Sequence, residues 1–262
     1  MENEISQMSK GVGGLKVSAG KACRGKKGKN KGKKEEKKRK MQERQDFNNE
    51  LWERLNNALY EDNVTRVPRD VLVGFEPFAV YKRNGLDLGI EMFARDNLPQ
   101  DVREFCFGLT ETNMKDHYET SGWGWNPVKK KRELGAEEAR ILVAFDNANE
   151  RQPVAFAHFR FLREDDALVL YVYELQVSQD KISRKGVGRH LMMIMELVAR
   201  KYKMEWVMLT VLDCNKAASN FYKRIKYSVD ETSPQFDAFD VHQDTPYQIL
   251  SKKLFQDPKP SA

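Results

Sequence analysis

Hydrophobic residues beyond about residue 76 follow two alternating patterns, one typical of strands and one typical of helices. Leu191, Ile194, Met195 and Val198 recur at the helical spacing i, i+3, i+4 and i+7, whereas short apolar runs bounded by turn residues predict buried strands. We predict strands at 78–81, 86–93, 141–145, 154–161, 168–177, 206–212 and 247–254, and helices at 99–118, 186–201 and 215–226. This alternation predicts an α/β or α+β architecture in which helices pack on a mixed sheet.

The first 76 residues differ from this body in composition. Residues 1–32 are rich in Gly, Ser, Lys and Asn, so we expect a disordered basic tail. Helix formers follow, and Leu51, Leu55 and Leu59 recur one turn apart, which predicts a helix from 34 to about 57 whose second half packs on the body. The predicted organisation is a tail (1–32), a helix with its connecting segment (33–76), a body domain (77–255) and a C-terminal tail (256–262).

Positive charge is concentrated near the N-terminus. Residues 1–46 contain 15 Lys or Arg against 6 Asp or Glu, a net charge of +9, whereas the whole chain has 45 against 39, a net charge of +6. Residues 47–262 therefore contain 30 against 33, a net charge of −3. A slightly acidic body argues against a protein that binds nucleic acid over its whole surface, and it suits a basic substrate.

The charged run from Lys33 to Lys40 has three interpretations. It is a solvated helix face, a nuclear-import patch, or an electrostatic contact with a polyanion whose affinity falls steeply with salt. The last two are compatible with each other. The partner of this segment therefore stays open among the ribosome, RNA and nucleosomal DNA.

Composition disfavours several classes of protein. Three cysteines cannot form a disulfide framework, which favours a reducing compartment. The N-terminus lacks the apolar core of a signal peptide, and the longest apolar run, 167–173, is too short to cross a bilayer, so we expect no secretion and no membrane contact. The histidines and cysteines show no metal-ligand spacing, so we expect no metal and no covalent acyl-cysteine intermediate.

The most informative segment is a glycine-rich turn between a strong strand and a helix. Gly186 and Gly188 allow close approach of the backbone, and the first N–H groups of the helix that follows have no partner inside the helix. Arg184, Lys185 and Arg189 add positive charge. Together these features are typical of anion binding at a helix N-terminus.

The same turn resembles the acyl-CoA-binding motif Q/R-x-x-G-x-G/A of the Gcn5-related N-acetyltransferases (GNATs). Residues 184–188 supply its last five places, and Ser183 stands where Gln or Arg is usual. Six further segments narrow the resemblance to the type D N-alpha-acetyltransferases (NatD) over about residues 80–253. These are 118–125 (YETSGWGW), 159–161 (FRF), 171–174 (YVYE), 207–211 (VMLTV), 232–234 (TSP) and 247–251 (YQILS).

The resemblance implies a GNAT fold and acetyl-CoA as the cosubstrate. In that fold the middle strands of a mixed central sheet splay apart, and the pantetheine arm of the cosubstrate fills the gap. Backbone groups of Leu175, Gln176 and Val177 would bind that arm, while Thr210 and Asn215 would close the far side. The implied pyrophosphate contacts are Arg184, Lys185, Gly186, Val187, Gly188 and Arg189.

Glu174 is the candidate general base, acting through a water molecule. A carboxylate inside an apolar strand is costly unless it is partnered or functional, and a structural ion pair is the alternative interpretation. Tyr171 and Tyr173 share one face of a regular strand and Glu174 the other, so a pocket that contains all three requires a β-bulge. The resemblance makes Tyr173 a catalytic or substrate contact. Tyr222 either protonates the departing thiolate or only packs.

The resemblance also implies a peptide substrate. The family acetylates the N-terminal serine of histones whose tails begin Ser-Gly-Arg-Gly, and bulky pocket walls would exclude larger first residues. The implied walls are Tyr118, Trp123, Tyr171, Tyr173 and Tyr247. Carboxylates suited to the arginine at position three are Glu164, Asp165 and Asp166.

Two other functions stay open from the sequence. One is an acetyltransferase for lysine side chains or small amines, and the other is a non-catalytic protein that binds RNA or the ribosome through its basic tail. For the favoured function, histone tails are the expected partners and the nucleus and cytoplasm the expected locations. We expect a monomer.

Overall fold

The computed structural model describes residues 27–236 and 245–255 of the chain. The chain divides into two compact units, residues 1–44 and 45–262. In the first unit, the described residues belong to helix α1 (Lys27–Leu59), and their side chains from Lys33 onward are exposed. All elements after α1 belong to the second unit.

Helices and strands alternate through the second unit. The helices after α1 are α2 (Gln100–Thr120), α3 (Pro127–Leu134), α4 (Gln179–Ile182), α5 (Val187–Lys201) and α6 (Lys216–Arg224). The strands are β1 (Tyr60–Asp62), β2 (Val67–Pro68), β3 (Val80–Arg83), β4 (Leu86–Ala94), β5 (Arg140–Asp146), β6 (Gln152–Glu164), β7 (Ala167–Val177), β8 (Trp206–Leu212), β9 (Ser228–Val229) and β10 (Tyr247–Lys253).

Eight of the described strands form one mixed sheet in the order β3-β4-β5-β6-β7-β8-β10-β9. Neighbouring strands are antiparallel except β7 and β8, which are joined through helix α5 and run parallel. Their pairing stops at Val172 and Leu209, although β7 continues to Val177 and β8 to Leu212. The two middle strands therefore splay apart, which is the feature of the GNAT fold expected from the sequence.

Helices cover both faces of the sheet. On one face Leu191, Ile194 and Val198 of α5 pack in the larger hydrophobic core, against buried residues such as Leu170. On the other face Val102 and Cys106 of α2 pack in a smaller core with Phe156. The apolar spacing of α5 predicted this burial correctly, because the side that faces the sheet must be apolar.

The end of α1 is fixed to the sheet by packing and by one buried cation. Leu51, Leu55 and Leu59 are buried in the larger core, as the spacing predicted. The guanidinium of Arg140, on β5, is fully buried and donates to the carbonyl of Leu59 at 2.5 Å. That carbonyl lies in the last turn of α1, where helical acceptors lack an intrahelical donor.

The predicted strands are confirmed, with shifts of a few residues at their ends, and β3 and β4 form a hairpin around Asn84-Gly85. Three other points differ from the expectations or concern residues outside the described ranges. Helix α1 begins at Lys27 rather than 34, because extending an existing helix is easier than starting one, so residues 27–32 are helical rather than disordered. Residues 1–26 and 256–262, both predicted tails, lie outside the described residues. Helix α3 lies in a segment for which the sequence predicted neither a helix nor a strand.

One more property concerns membranes. Among residues 27–236 and 245–255, no helix combines the length and the apolar composition that crossing a bilayer requires.

Candidate active site

The gap between β7 and β8 opens at a hydrogen bond between their side chains. The hydroxyl groups of Tyr171 and Thr210 lie 2.5 Å apart, next to the last paired residues of the two strands. Burial raises the pKa of Tyr171, so its hydroxyl stays protonated. Beyond this point Leu175, Gln176 and Val177 pair with β6 only, which leaves the edge of β7 towards β8 unpaired.

The glycine-rich turn lies at the end of this gap. Arg184 and Gly186 have positive φ angles, 59° and 89°, and the first helical hydrogen bond of α5 runs from His190 to Gly186. The N–H groups of Val187, Gly188 and Arg189 precede that bond and have no acceptor inside the helix. A Cβ atom at Gly188 would lie 3.7 Å from Val177, so the start of α5 touches the end of β7.

The flanking residues of the turn differ in exposure. Arg184 and Arg189 are exposed, and Lys185 is half-buried. The hydroxyl of Ser183 donates to Gln179 at 3.0 Å, so it is engaged within the loop. The backbone carbonyl of Lys185 accepts hydrogen bonds from Tyr81 at 2.5 Å and from Asn84 at 2.9 Å.

A β-bulge lies where the sequence required one. His158 of β6 pairs with Glu174, but the next residue of β6, Phe159, pairs with Val172, so Tyr173 is the extra residue of β7. In such a bulge the two residues that oppose one partner project to the same side. The ring of Tyr173 stacks on His158 at 5.0 Å and lies 5.4 Å from Tyr171. Tyr171, Tyr173 and Glu174 thus share one face.

The carboxylate of Glu174 is buried and both of its oxygens are engaged. Oε1 accepts from the ammonium of Lys130 at 2.7 Å, and Oε2 accepts from the amide of Gln176 at 2.7 Å. The amide of Asn113 on α2 donates to Gln176 in turn, at 3.0 Å. The ion pair that sequence reasoning offered as the alternative interpretation is therefore present, and its cation comes from the unpredicted helix α3.

Lys130 is the main residue that sequence reasoning missed. Its ammonium also contacts Glu133 at 3.0 Å and the hydroxyl of Tyr118 at 3.1 Å. Burial alone would lower the pKa of Lys130, but the charges of Glu174 and Glu133 raise it well above its ordinary value. Asn126 followed by Pro127 is a helix-start signal, and the Asn126 side chain does cap α3 by accepting from Lys129.

Three of the predicted pocket walls contact one another. The ring centroids of Tyr118 and Trp123 are 6.2 Å apart, and those of Trp123 and Tyr247 are 4.8 Å apart. Trp125 joins this group, 5.6 Å from Tyr118, and its indole donates to Glu111 at 3.0 Å. The structure thus places residues from α2, the loop after it and β10 in one aromatic cluster.

The remaining predicted site residues lie on α6 and before it. Asn215 caps α6 by accepting from Ala218 at 3.0 Å, which supports its interpretation as a helix cap. Tyr222 is buried against Phe221 and Tyr227, and burial together with the charge of Glu174 raises its pKa. Packing is therefore one role of Tyr222.

Two buried or half-buried groups add to the electrostatics. His158 is fully buried, and neither ring nitrogen has a hydrogen-bond partner within the described ranges. Burial and the positive charges of Arg160 and Lys130 lower its pKa far below the ordinary value, so the imidazole is neutral. Burial and the charges of Asp165 and Asp230 raise the pKa of Glu164.

Cysteine and metal chemistry were not expected here. Cys106 is buried, which raises the pKa of its thiol to about 12. The sulfur of Cys214 lies 3.5 Å from the carbonyl oxygen and 3.7 Å from Nδ1 of His117. In the part of the chain that the structure describes, no three His, Cys, Asp or Glu side chains are grouped as they would be around a metal ion.

The segment that carries the splayed strands and the glycine-rich turn is similar to a known protein family. Residues 107–227 match the profile of the Acetyltransferase (GNAT) family. The chain is similar to the structure of the PaiA N-acetyltransferase from Thermoplasma acidophilum in complex with coenzyme A, with 15% identity, a TM-score of 0.46 and coverage of 64% of this chain and 99% of that one.

Two further solved structures are similar at the same level. The NatC complex bound to Gag peptide and CoA matches with 15% identity and a TM-score of 0.47, over 63% of this chain and 98% of that one. Arabidopsis thaliana Naa50 in complex with the bisubstrate analogue CoA-Ac-MVNAL matches with 16% identity and a TM-score of 0.44, over 63% and 99%. The profile match covers 121 of the 262 residues, and over that segment the chain is similar to the GNAT family of acetyltransferases.

Proposed function

We propose that this protein transfers the acetyl group of acetyl-CoA to the α-amine of proteins, and that its substrates are histone tails that begin Ser-Gly-Arg-Gly. The observation that carries the proposal is the bulge at Tyr173. It places the carboxylate of Glu174 on the same face as Tyr171 and Tyr173, beside the gap between β7 and β8. A candidate base and aromatic residues suited to a peptide pocket therefore meet at one place.

The residues present fit acetyl-CoA. Beyond Val172, β7 has no strand partner towards β8, so backbone groups at Leu175, Gln176 and Val177 would bind an extended arm with amide groups. The carbonyl of Val177 also accepts from the amide of Asn113 at 3.2 Å. The N–H groups at the start of α5, with Arg184 and Arg189 beside them, suit a pyrophosphate. When bound, acetyl-CoA supplies the thioester whose acetyl group is transferred.

The reaction needs a neutral amine and a stabilised oxyanion. An α-amine has a pKa near 7.7–8.0, so it gives up its proton close to neutral pH, and we assign the acceptor role to Glu174 through a water molecule. The amine nitrogen forms the new bond to the acetyl carbon while the carbon–sulfur bond breaks. Backbone N–H groups on the free edge of β7 would stabilise the oxyanion, and Tyr222 would donate a proton to the thiolate.

Substrate selection follows from the walls and the charge of the pocket. The cluster of Tyr118, Trp123 and Tyr247 presents large rigid surfaces that suit a small N-terminal serine. Among the three acidic candidates for the arginine at position three, we favour Glu164. Glu164 is at the end of β6, the strand that pairs with the Tyr171 strand β7, whereas Asp165 and Asp166 lie in the turn after it.

The test is acetyl transfer from labelled acetyl-CoA to a Ser-Gly-Arg-Gly-Lys peptide. We expect transfer to the peptide with a free α-amine, no transfer when that amine is blocked, and loss of transfer with Glu174→Gln. Transfer to the blocked peptide would move the activity to lysine side chains. A folded protein that transfers to neither peptide would favour the non-catalytic function of the basic tail.

For the proposed activity on histone tails, we propose that the enzyme acts in the nucleus and the cytoplasm.

A further inference from the structure

The ammonium of Lys130 connects the candidate base to the candidate peptide pocket. It lies 2.7 Å from Oε1 of Glu174 and 3.1 Å from the hydroxyl oxygen of Tyr118, and its side chain is only 7% exposed. Glu174 belongs to β7 and Tyr118 to the last turns of α2. One cation on the short helix α3 therefore contacts both halves of the site.

We propose that Lys130 is the positioning residue of this site: it keeps the carboxylate of Glu174 ionised, and it fixes the direction in which Tyr118 donates its proton. The inference deepens the proposed function and rests on it for the roles of Glu174 and Tyr118. It follows from the geometry of one buried ammonium and its three oxygen partners.

The first part concerns the charge of Glu174. A buried carboxylate without a counter-charge binds a proton more readily, and a protonated carboxyl group cannot act as a base. Lys130 supplies that counter-charge in direct contact, and Gln176 holds the second oxygen. Each carboxylate oxygen keeps a further lone pair, so a water molecule can still be bound and deprotonated.

The second part concerns Tyr118. An ammonium can only donate, so the hydroxyl oxygen of Tyr118 acts as the acceptor towards Lys130. The hydroxyl hydrogen is then available in another direction, and burial with the charge of Glu174 raises the pKa of Tyr118, so this hydrogen is retained. We assign it to a carbonyl oxygen of the bound peptide, which would hold the α-amine beside Glu174.

Other charged and titratable groups around this pair come from four elements. Glu133 also contacts Lys130, from one turn further along α3, and burial raises its pKa. The groups that interact electrostatically with Lys130, Glu174 or Glu133 are Tyr118 on α2, Glu133 on α3, His158 and Arg160 on β6, and Tyr222 on α6.

The experiment measures the protonation of Glu174 directly and the pH profile of transfer beside it. The protein is labelled with carbon-13 at the glutamate carboxyl carbon, and the NMR signal of Glu174 is identified by its absence in Glu174→Gln. In Lys130→Met, which keeps the length of the side chain without its charge, we expect the titration midpoint of that signal to move to higher pH. Lys129→Met, one residue away and exposed, is the matched control and should leave the midpoint unchanged.

The pH profile of kcat/KM gives an independent readout. In the wild type we expect a slope of one on the acidic side, from the substrate amine alone, and a slope of two in Lys130→Met because a second group must now lose its proton. The loss at neutral pH should be about tenfold for each pH unit by which the carboxyl titration moves above neutrality, and it should shrink at higher pH. Lys130→Arg keeps the cation and should keep a slope of one.

The outcomes separate this inference from the proposed function. An unchanged midpoint in a folded Lys130→Met protein overturns the inference, whatever the activity. A raised midpoint with no acetyl transfer by the wild type supports the role of Lys130 and overturns the proposed function. If Lys130→Met does not fold, the double variant Lys130→Met with Glu174→Gln decides. Recovery of the fold in the double variant supports the charge pairing. A double variant that stays unfolded, together with a slope of two in the pH profile of Lys130→Arg, overturns it.

Discussion

The hydroxyl of Tyr81 donates to the carbonyl of Lys185 at 2.5 Å, so the β3–β4 hairpin fixes the turn that begins α5. The same hydroxyl oxygen would lie 2.7 Å from a Cβ atom added at Gly186, whose φ angle is 89°. Only glycine satisfies both the backbone angle and the space at this position. The anion-binding turn is therefore shaped by a residue more than a hundred positions away in the sequence.

Gly186→Ala should weaken the binding of acetyl-CoA more than it affects turnover. The left-handed backbone and the contact with Tyr81 both penalise a Cβ, and a distortion of about 1–2 kcal/mol corresponds to roughly a tenfold rise in the KM for acetyl-CoA. The measurement is a steady-state titration with acetyl-CoA at saturating peptide. An unchanged KM would show that the turn does not hold the cosubstrate.

Tyr81→Phe should make Gly186→Ala less harmful. Phenylalanine removes the oxygen that a Cβ would meet, so only the penalty of the backbone angle remains. A double-mutant cycle on the KM for acetyl-CoA measures this coupling. Gly85→Ala is the matched control because Gly85 has a φ angle of 74° but no atom within 4 Å of an added Cβ, so its effect should not depend on Tyr81.

Glu164→Gln should stabilise the fold at neutral pH while impairing substrate selection. Burial first, and then the charges of Asp165 and Asp230, raise the pKa of Glu164 in the folded state, so ionisation is disfavoured there. The wild type therefore loses stability as pH rises from the unfolded-state value of about 4.3 through the raised one, and the gain from glutamine should vanish below that window. Urea denaturation at several pH values checks this.

The same variant tests recognition of the third residue. If Glu164 pairs with arginine, Glu164→Gln should raise the KM for a Ser-Gly-Arg-Gly peptide and leave the KM for a Ser-Gly-Ala-Gly peptide unchanged. Equal changes for both peptides would assign Glu164 to the structure of the acidic turn instead.

Arg140→Met should lower the free energy of unfolding by about 3 kcal/mol, because it removes three hydrogen bonds that a buried guanidinium donates, each worth about 1 kcal/mol. Arg140 donates to Leu59 at 2.5 Å, to Ala139 at 3.0 Å and to Glu137 at 3.2 Å. Urea denaturation followed by circular dichroism gives the value. Arg151→Met, at an exposed ion pair with Glu91, should change it by less than about 1 kcal/mol. Similar losses at both positions would contradict the anchoring role of Arg140.

Cys214→Ala should retain acetyl transfer. The sulfur of Cys214 contacts His117, an arrangement that could activate a nucleophile, but direct transfer to the amine requires no acyl-cysteine. We expect kcat within about threefold of the wild type, since only a half-buried contact is lost. Complete loss of turnover in a folded variant would require a covalent intermediate and a new mechanism.

The sheet could be predicted from the sequence because buried strands need continuous apolar runs and hairpins need particular turn residues. The bulge could also be predicted, since Tyr171, Tyr173 and Glu174 cannot share a face in a regular strand. The need for a bulge came from the residue types of one short segment. The position of the extra residue could not be predicted, because only the pairing of His158 and Phe159 with β7 shows which residue is extra.

Lys130 could not be found in the same way. It is one of four consecutive basic residues, Lys129 to Arg132, and sequence alone treats all four as a solvated face. The other three are exposed, and only Lys130 is buried. Which of them turns inward is decided by the position of α3 against β7, a tertiary contact with no periodic signal in so short a helix.

The bulge at Tyr173 also means that this one residue could be lost or gained without a change in the rest of β7. Val172 and Glu174 already oppose consecutive residues of β6, so the loss of one codon at Tyr173 would restore a regular strand. Every other side chain of β7 would keep its face and its partner. A single insertion or deletion would therefore add or remove the aromatic ring beside the carboxylate while Glu174 stays in place.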